Sequence, residues 1–221
     1  SETAYERLKT IAQNSDLGGG MAIALKDLEL RGAGNLLGGE QAGHIAGVGF
    51  DLYLRMIAEA VGEFKGDAAP ESNDLRLEIP IDARIPEDYI ESERLRLEAY
   101  QKLSAASFPS AAPDAIDVEL DEMRDRYGEP PAQVQTLASV ARLRRRIAEL
   151  GISEVITAGA NLRVAGVDLP DSRQTRLVRL YPGARYVSAM SACLVPMPNR
   201  DGNDLLEWVR DVVEAIYGEN T

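Results

Sequence analysis

The chain has 221 residues, enough for one large domain or two small ones, and its 45% apolar and 27% charged residues are typical of a globular protein. A net charge of -12 excludes a protein whose whole surface follows nucleic-acid phosphates, so that any DNA contact must be local. A single cysteine excludes an internal disulfide framework and suits a reducing cytoplasm, and no stretch is apolar enough to span a membrane.

The first 66 residues predict two units, the tail of an α/β domain and a helical hairpin. Thr3 and Glu6 form a capping box that opens a helix, and the apolar run that begins at Met21 predicts a buried strand. Because a lone strand needs neighbours, we expect residues 1–30 to be the tail of an α/β domain whose body lies elsewhere. Apolar residues at helical spacing from Phe50 to Val61 follow a glycine-rich bend and predict a helical hairpin over residues 31–66.

A polar, punctuated segment over residues 65–73 marks a domain boundary, and residues 74–221 predict a second unit. The expected helices cover residues 93–106, about 112–127, and a segment from Pro131 to a stop at Gly151, with a closing helix capped by Asn203. The strand candidates are residues 75–81, 152–157, 162–167, 175–180 and 186–195. Because helices and strands fall in blocks, this unit predicts an α+β fold with a small, mostly antiparallel sheet.

The glycine-rich stretch over residues 27–44 carries the densest polar chemistry of the chain. Its glycines follow a predicted strand and precede a helix, as in a dinucleotide-binding loop, although their spacing differs from that motif by one residue. No phosphate-binding P-loop is present in the sequence, and a small nucleotide-binding enzyme remains an alternative function. The lone His44 is interpreted as a loop residue, because a general base needs a positioned partner.

The charged clusters and the cysteine each have a structural explanation that requires no functional role. Cys193 lies in an apolar run and predicts a small buried hydrophobe. Four arginines at positions 142 and 144–146 predict a solvated helix face. Glu122, Asp125 and Arg126 fall at spacings of three and four on one side of a helix and could form a polar contact surface. A stand-alone acidic protein-interaction module is therefore a second alternative.

One long ungapped motif adds a resemblance. It is similar to the translocation motif shared by the RecG branch-migration helicases and the bacterial transcription-repair coupling factors (Mfd), and its residues are Asp27-Leu28-Glu29-Leu30-Arg31-Gly32-x-Gly34-x-Leu36-Leu37-Gly38-x-x-Gln41-x-Gly43. The following residues 49–54 and the roughly 150-residue domain beyond them resemble the coupling factors, because RecG ends sooner after the motif. The resemblance covers the end of the second RecA-like motor lobe, the motif and the C-terminal domain.

The resemblance implies a function for a longer parent protein. That parent would be an ATP-driven translocase on duplex DNA, of helicase superfamily 2, which displaces stalled RNA polymerase and recruits the UvrA excision-repair machinery. Arg31 and Gln41, with Glu29, Gly32 and Gly34, would couple closure of the motor lobes to translocation. ATP and Mg²⁺ would be bound by the parent, and we expect no cofactor, no metal and no ATPase activity in this chain alone.

The C-terminal domain, by the same resemblance, would be a regulatory clamp. It would dock on the N-terminal UvrB-like module of the same protein and mask the UvrA-binding surface, with Glu122, Asp125 and Arg126 in the interface. UvrA and RNA polymerase would be bound through other domains, and duplex DNA only weakly or through the motor lobes. An acidic surface suits such docking, since it attracts a basic protein patch and repels DNA.

Overall fold

A computed structural model describes residues 75–217. Its helices are α1 (Glu93–Ala106), α2 (Ala115–Tyr127), α3 (Ala132–Glu149), α4 (Asp171–Leu180) and α5 (Gly202–Tyr217). Its strands are β1 (Arg76–Glu78), β2 (Glu154–Ala158), β3 (Asn161–Ala165), β4 (Arg185–Val187) and β5 (Ala192–Pro196). The predicted motor-lobe tail (1–30), the hairpin (31–66) and the linker lie outside the described residues, so the proposed domain limits stay predictions.

The five strands form one sheet in the order β1-β2-β3-β5-β4. β1 pairs in parallel with β2 through the crossover of α1, α2 and α3, and the other three pairings are antiparallel. This arrangement confirms the predicted α+β fold with a mostly antiparallel sheet.

The sheet has one apolar face and one polar face. Leu77, Val155, Val164 and Cys193 occupy successive strands in register and are each at most 2% exposed. The alternate residues of the same strands include charged side chains such as Arg76 and Arg163, which are exposed and half-buried, and the buried carboxylate of Glu154. The apolar row belongs to the same core as the buried residues of α3 and α5, so that the described residues form two layers.

Helix α5 shows why the closing segment is helical. Its apolar stripe is at most 5% exposed and consists of Leu205, Leu206, Val209, Val212, Val213 and Ile216. Helix α3 starts after Pro131, which suits a helix start because its nitrogen has no hydrogen to leave unpaired. Gly151, with φ +71°, follows the end of that helix. The predicted α1 and α3 are confirmed.

Three predicted elements differ from the structure. Residues 175–180 were expected to be a strand but form the second half of α4, which begins after Pro170 and buries only Leu177. The segment 186–195 is two strands, β4 and β5, separated by a 3₁₀ turn over Ser188–Met190 and by Ser191 in the left-handed region. Helix α2 begins at Ala115 rather than near residue 112.

The expected cap of α5 is also wrong. The helix begins at Gly202, and the carbonyl of Asp201 accepts the bond from the Leu205 N–H (3.2 Å). The Asn203 side-chain oxygen instead accepts a hydrogen bond from the hydroxyl of Thr136 on α3 (3.0 Å). Its polar group joins two helices rather than ending one.

Candidate functional site: the charged face of the α1–α2 hairpin

Helices α1 and α2 pack side by side and carry the candidate contact surface. Glu122, Asp125 and Arg126 lie in the last two turns of α2, with Glu122 half-buried and the other two exposed. The Glu122 carboxylate accepts hydrogen bonds from Lys102 Nζ on α1 (2.5 Å) and from Arg126 Nη1 (3.0 Å). Within residues 75–217, Asp125 makes no ion pair or side-chain hydrogen bond. The structure therefore brings two of the three predicted residues into one ion network and leaves Asp125 open to a partner.

A shallow groove, open to solvent, lies between the two helices. Leu95, Ala99 and Met123 line it with apolar surface, and Met123 is 3% exposed. The charged lining residues are Glu98, Lys102, Glu119, Glu122 and Arg126. A groove of this composition suits contact with another protein surface rather than a small molecule, because it is shallow and edged by charge.

Hydrogen bonds favour the charged forms of Glu122 and Lys102 in the groove. Hydrogen bonds from Lys102 and Arg126 lower the pKa of Glu122, and the bond to Glu122 raises the pKa of Lys102. Burial raises the pKa of Glu119, an effect that the opposite charge of Lys102 at 3.7 Å counteracts. Lys102 thus bridges two carboxylates, and sequence reasoning missed it because its partners are 17 and 20 residues away, on another helix.

The α1–α2 hairpin lies in an acidic segment of the chain. Residues 87–129 contain twelve Asp and Glu against five Lys and Arg, a net of -7, whereas residues 155–200 contain two against six, a net of +4. Acidic residues therefore outnumber basic ones in the segment that carries the candidate surface. Such a surface attracts a basic protein patch and steers its approach.

The aromatic residues at the end of the groove stiffen it. The rings of Tyr89 and Tyr127 pack edge to face with centroids 6.0 Å apart, and the Tyr89 hydroxyl donates to the Gly128 carbonyl (2.9 Å). The Arg126 guanidinium lies 5.4 Å from the Tyr127 ring centroid. Arg126 therefore contacts both this ring and the Glu122 carboxylate.

The arginine cluster on α3 is only in part the solvated face that the sequence predicts, because Arg142 is exposed whereas Arg144 is buried. Arg144 is 7% exposed and donates to the Leu75 carbonyl (3.2 Å), and burial lowers its pKa to about 10. Arg145 binds the α1–α2 loop, Arg142 pairs with Asp117, and Arg146 pairs with Glu214 of α5. The four side chains hold α3 to its neighbours and are not a phosphate-binding patch.

The described residues contain no apparent catalytic centre. Cys193 is confirmed as a buried hydrophobe, with 0% exposure, and burial raises its pKa to about 11. No group of three or more His, Cys, Asp or Glu in residues 75–217 is placed to hold a metal ion. No helix in this part is both long and apolar enough to cross a membrane. His44 and the predicted coupling residues Glu29, Arg31, Gly32, Gly34 and Gln41 lie outside the described residues.

Comparison with known proteins places the chain. Residues 79–175 match the TRCF domain family. The transcription-repair-coupling factor of Mycobacterium bovis is 46% identical over 240 residues, which cover 99% of this chain and 19% of that protein. The Staphylococcus epidermidis factor is 38% identical over 166 residues, covering 74% of this chain and 14% of that protein.

A solved structure agrees in fold. The crystal structure of the C-terminal domain of a transcription-repair coupling factor matches with a TM-score of 0.51 and 17% identity, covering 64% of this chain and 89% of that one. Together these matches define an acidic α+β domain of the kind found in that C-terminal region. The chain belongs to the transcription-repair coupling factor family and corresponds to its C-terminal part. It spans about a fifth of the length of the mycobacterial relative.

Proposed function

We propose that this chain is the motor-coupling and regulatory part of a transcription-repair coupling factor. In this proposal the parent protein uses ATP and Mg²⁺ to move on duplex DNA in the cytoplasm, displaces stalled RNA polymerase and recruits UvrA. The domain over residues 75–217 docks on the N-terminal UvrB-like module and masks the UvrA-binding surface until the motor engages. The observation that carries this role is the charged face of α2 within the acidic segment of residues 87–129, which has a net charge of -7.

The docking surface consists of Glu122, Asp125 and Arg126. Asp125 is exposed, and among the described residues it has no partner, so that it can accept a basic side chain without first breaking a bond. Glu122 and Arg126 hold each other at 3.0 Å and present fixed charges. A face with both signs fixed in place sets the orientation of a partner as well as its affinity.

The test is alanine substitution of all three residues in the full parent protein. We expect the triple variant to bind UvrA more tightly and to hydrolyse ATP faster in the absence of polymerase, because the clamp no longer holds the UvrB-like module. In the purified chain, the dissociation constant for the separate module should rise about 10-fold or more. Unchanged UvrA affinity and unchanged basal hydrolysis would refute this assignment.

A matched control lies on α5. Glu207, Arg210 and Asp211 are exposed and have the same residue types at the same helical spacings of three and four. Their triple alanine variant makes the same change in net charge at a different place. It should leave both UvrA binding and ATP hydrolysis as in the wild type.

The coupling role rests on the motif near Arg31. Arginine presents a rigid fork of donors that can bind a carboxylate or phosphate in one motor state and not in another, and Gln41 offers a donor and an acceptor. In the parent protein, Arg31→Ala and Gln41→Ala should keep ATP hydrolysis and lose DNA translocation. Loss of hydrolysis and translocation in equal proportion would contradict a coupling role.

The two alternatives give different results in the same assays. A stand-alone acidic interaction module would bind some other protein and not the UvrB-like module in a pull-down. A small nucleotide-binding enzyme would bind ATP by calorimetry in the isolated chain. We expect the isolated chain to show neither nucleotide binding nor DNA-stimulated ATP hydrolysis.

A further inference from the structure

The tip of the α1–α2 hairpin exposes large apolar side chains. Phe108 lies in the loop that joins the helices and is 41% exposed, and Val118 at the start of α2 is 55% exposed. The surrounding loop and first turn carry Asp114 and Asp117. An exposed aromatic ring beside acidic groups is a common composition for the anchor of a protein interface, where aromatic residues are enriched.

The loop that carries Phe108 is held in place by α3. Arg145 Nη1 donates to the Ala112 carbonyl and Nη2 to the Ala111 carbonyl, each at 2.7 Å, and the Arg145 side chain is only 13% exposed. The Ala111 N–H donates to the Phe108 carbonyl (3.0 Å), which closes a turn. The backbone on the C-terminal side of Phe108 is therefore bound to the core of the domain.

The backbone before Phe108 is equally fixed. Ser107 is 3% exposed, its N–H donates to the Leu103 carbonyl (3.1 Å), and its hydroxyl donates to the Ser104 carbonyl (2.7 Å). An aromatic side chain on a backbone held from both sides loses little conformational entropy when it is buried in a partner. Phe108 is thus presented ready for docking.

Val118 connects this apolar tip to the charged surface. Val118, Glu122 and Asp125 stand at positions i, i+4 and i+7 of α2, so that they follow one side of the helix. Val118 therefore extends the side of α2 that carries Glu122 and Asp125 toward the loop end of the hairpin, and Phe108 lies in that loop. A single partner surface can cover both the loop and this side of α2.

We propose that Phe108 is the apolar anchor of this docking surface and inserts into a nonpolar pocket edged by lysine or arginine on the partner protein. This proposal rests on the proposed function, in which the partner is the UvrB-like module. The acidic residues of the loop end and first turn of α2, among them Asp114, match basic residues around such a pocket. Burial of the apolar anchor lowers the dissociation rate of the complex. The charged residues raise its association rate and make that rate depend on salt concentration.

The experiment measures binding of the 221-residue chain to the separately purified UvrB-like module by surface plasmon resonance at two salt concentrations. Phe108→Ala should raise the dissociation constant about 10- to 30-fold, mainly through a faster off-rate, with an unchanged salt dependence. Phe108→Leu should recover part of the affinity. The Glu122, Asp125 and Arg126 triple alanine variant should instead slow association and flatten the salt dependence.

Matched controls separate an anchor from a general apolar effect. Val118→Ala should weaken binding by a smaller factor, whereas Val178→Ala, the same change at a 48% exposed position on α4, should leave it unchanged. Because Phe108 is exposed, its substitution should leave the thermal midpoint of the chain close to the wild-type value.

The outcomes distinguish this inference from the function on which it rests. If the triple variant loses affinity while Phe108→Ala binds as the wild type does, the anchor is refuted and the docking role stands. If the wild-type chain does not bind the module, both are refuted. Dimerisation of the chain that is lost with Phe108→Ala, seen by light scattering, would assign the ring to a second copy and overturn the proposal.

Discussion

Gly166 permits the closest backbone approach in the sheet, and its substitution by alanine tests the packing of the β2–β3 unit. Gly166 follows β3 with φ +79°, and an added Cβ would lie 2.5 Å from Ser153 Oγ and 2.8 Å from Ser153 N. The hydroxyl can rotate away, but the backbone nitrogen cannot, because Ser153 N–H donates to the Ala165 carbonyl (3.0 Å) and Ser153 carbonyl accepts from Arg76 N–H (2.9 Å). The clash therefore reaches β1, β2 and β3 together.

Two costs determine the magnitude. A left-handed backbone costs an alanine about 1 to 2 kcal/mol, and overpacking against fixed atoms costs typically about 1 to 3 kcal/mol. We expect Gly166→Ala to lower the free energy of unfolding by roughly 2 to 5 kcal/mol, which corresponds to a fall in Tm of about 5 to 20 °C for a domain of this size.

Gly159 provides the matched control in the turn between the same two strands. It has φ +61°, and nothing lies within 4 Å of an added Cβ, so Gly159→Ala incurs only the backbone cost of about 1 to 2 kcal/mol. The assay is urea denaturation of both variants followed by circular dichroism. Equal losses of stability in the two variants would refute the role of the contact with Ser153.

Three other measurements test the described interior. Arg144→Ala should lower the free energy of unfolding by about 2 kcal/mol or more, because it removes a hydrogen-bond donor from the buried Leu75 carbonyl. Arg142→Ala removes an exposed ion pair and should change the free energy of unfolding by less than about 1 kcal/mol. Denaturant unfolding of the two variants compares these effects. Cys193 should resist a thiol reagent in the native chain at pH 8 and react after unfolding, since burial raises its pKa to about 11; rapid stoichiometric labelling of the folded chain would contradict this. Hydrogen bonds from Arg146 lower the pKa of Glu214, so this pair stabilises the fold at pH values above the unfolded pKa of Glu214 and loses that effect as the pH falls through the folded pKa. The difference in unfolding free energy between wild type and Glu214→Gln should therefore shrink from pH 7 to pH 3.5. A difference that stays constant over this range would refute the stabilising role of the pair.

Residues near the ends of an element were enough to predict it where they include a capping residue, a proline or a glycine. Helix α1 was predicted with its observed bounds, and its start has a cap in Ser92, whose hydroxyl accepts from the Leu95 N–H (3.5 Å). Helix α3 and the strands β2 and β3 likewise follow from proline, glycine and apolar periodicity in the sequence. These signals depend on neighbours within a few residues, which the sequence displays directly.

Local signals failed where the segment has few apolar residues to set a period. Helix α4 buries only Leu177, so its few apolar residues are too short a signal to distinguish a helix from a strand. Its helical form depends on packing beside β4 and α5, which sequence periodicity does not show. Sequence signals also failed to separate β4 from β5. The turn between these strands places Ser191 at φ +44°, a left-handed conformation that usually indicates glycine, so no glycine marks the turn in the sequence.

The sequence by itself determined the family, the α+β class, the acidic character and the placement of three charged residues on one side of α2. Motifs, hydrophobic periodicity and helical spacing involve residues close together in the chain, so they can be identified without a structure. Tertiary structure alone decided which charges are free and which are bound. It placed Lys102 against Glu122, buried Arg144 while leaving Arg142 at the surface, and joined the loop of Phe108 to Arg145. The bond from Lys102 to Glu122 spans 20 residues of sequence, that from Arg145 to Ala112 spans 33, and that from Arg144 to Leu75 spans 69, so only tertiary packing brings these atoms within hydrogen-bond distance.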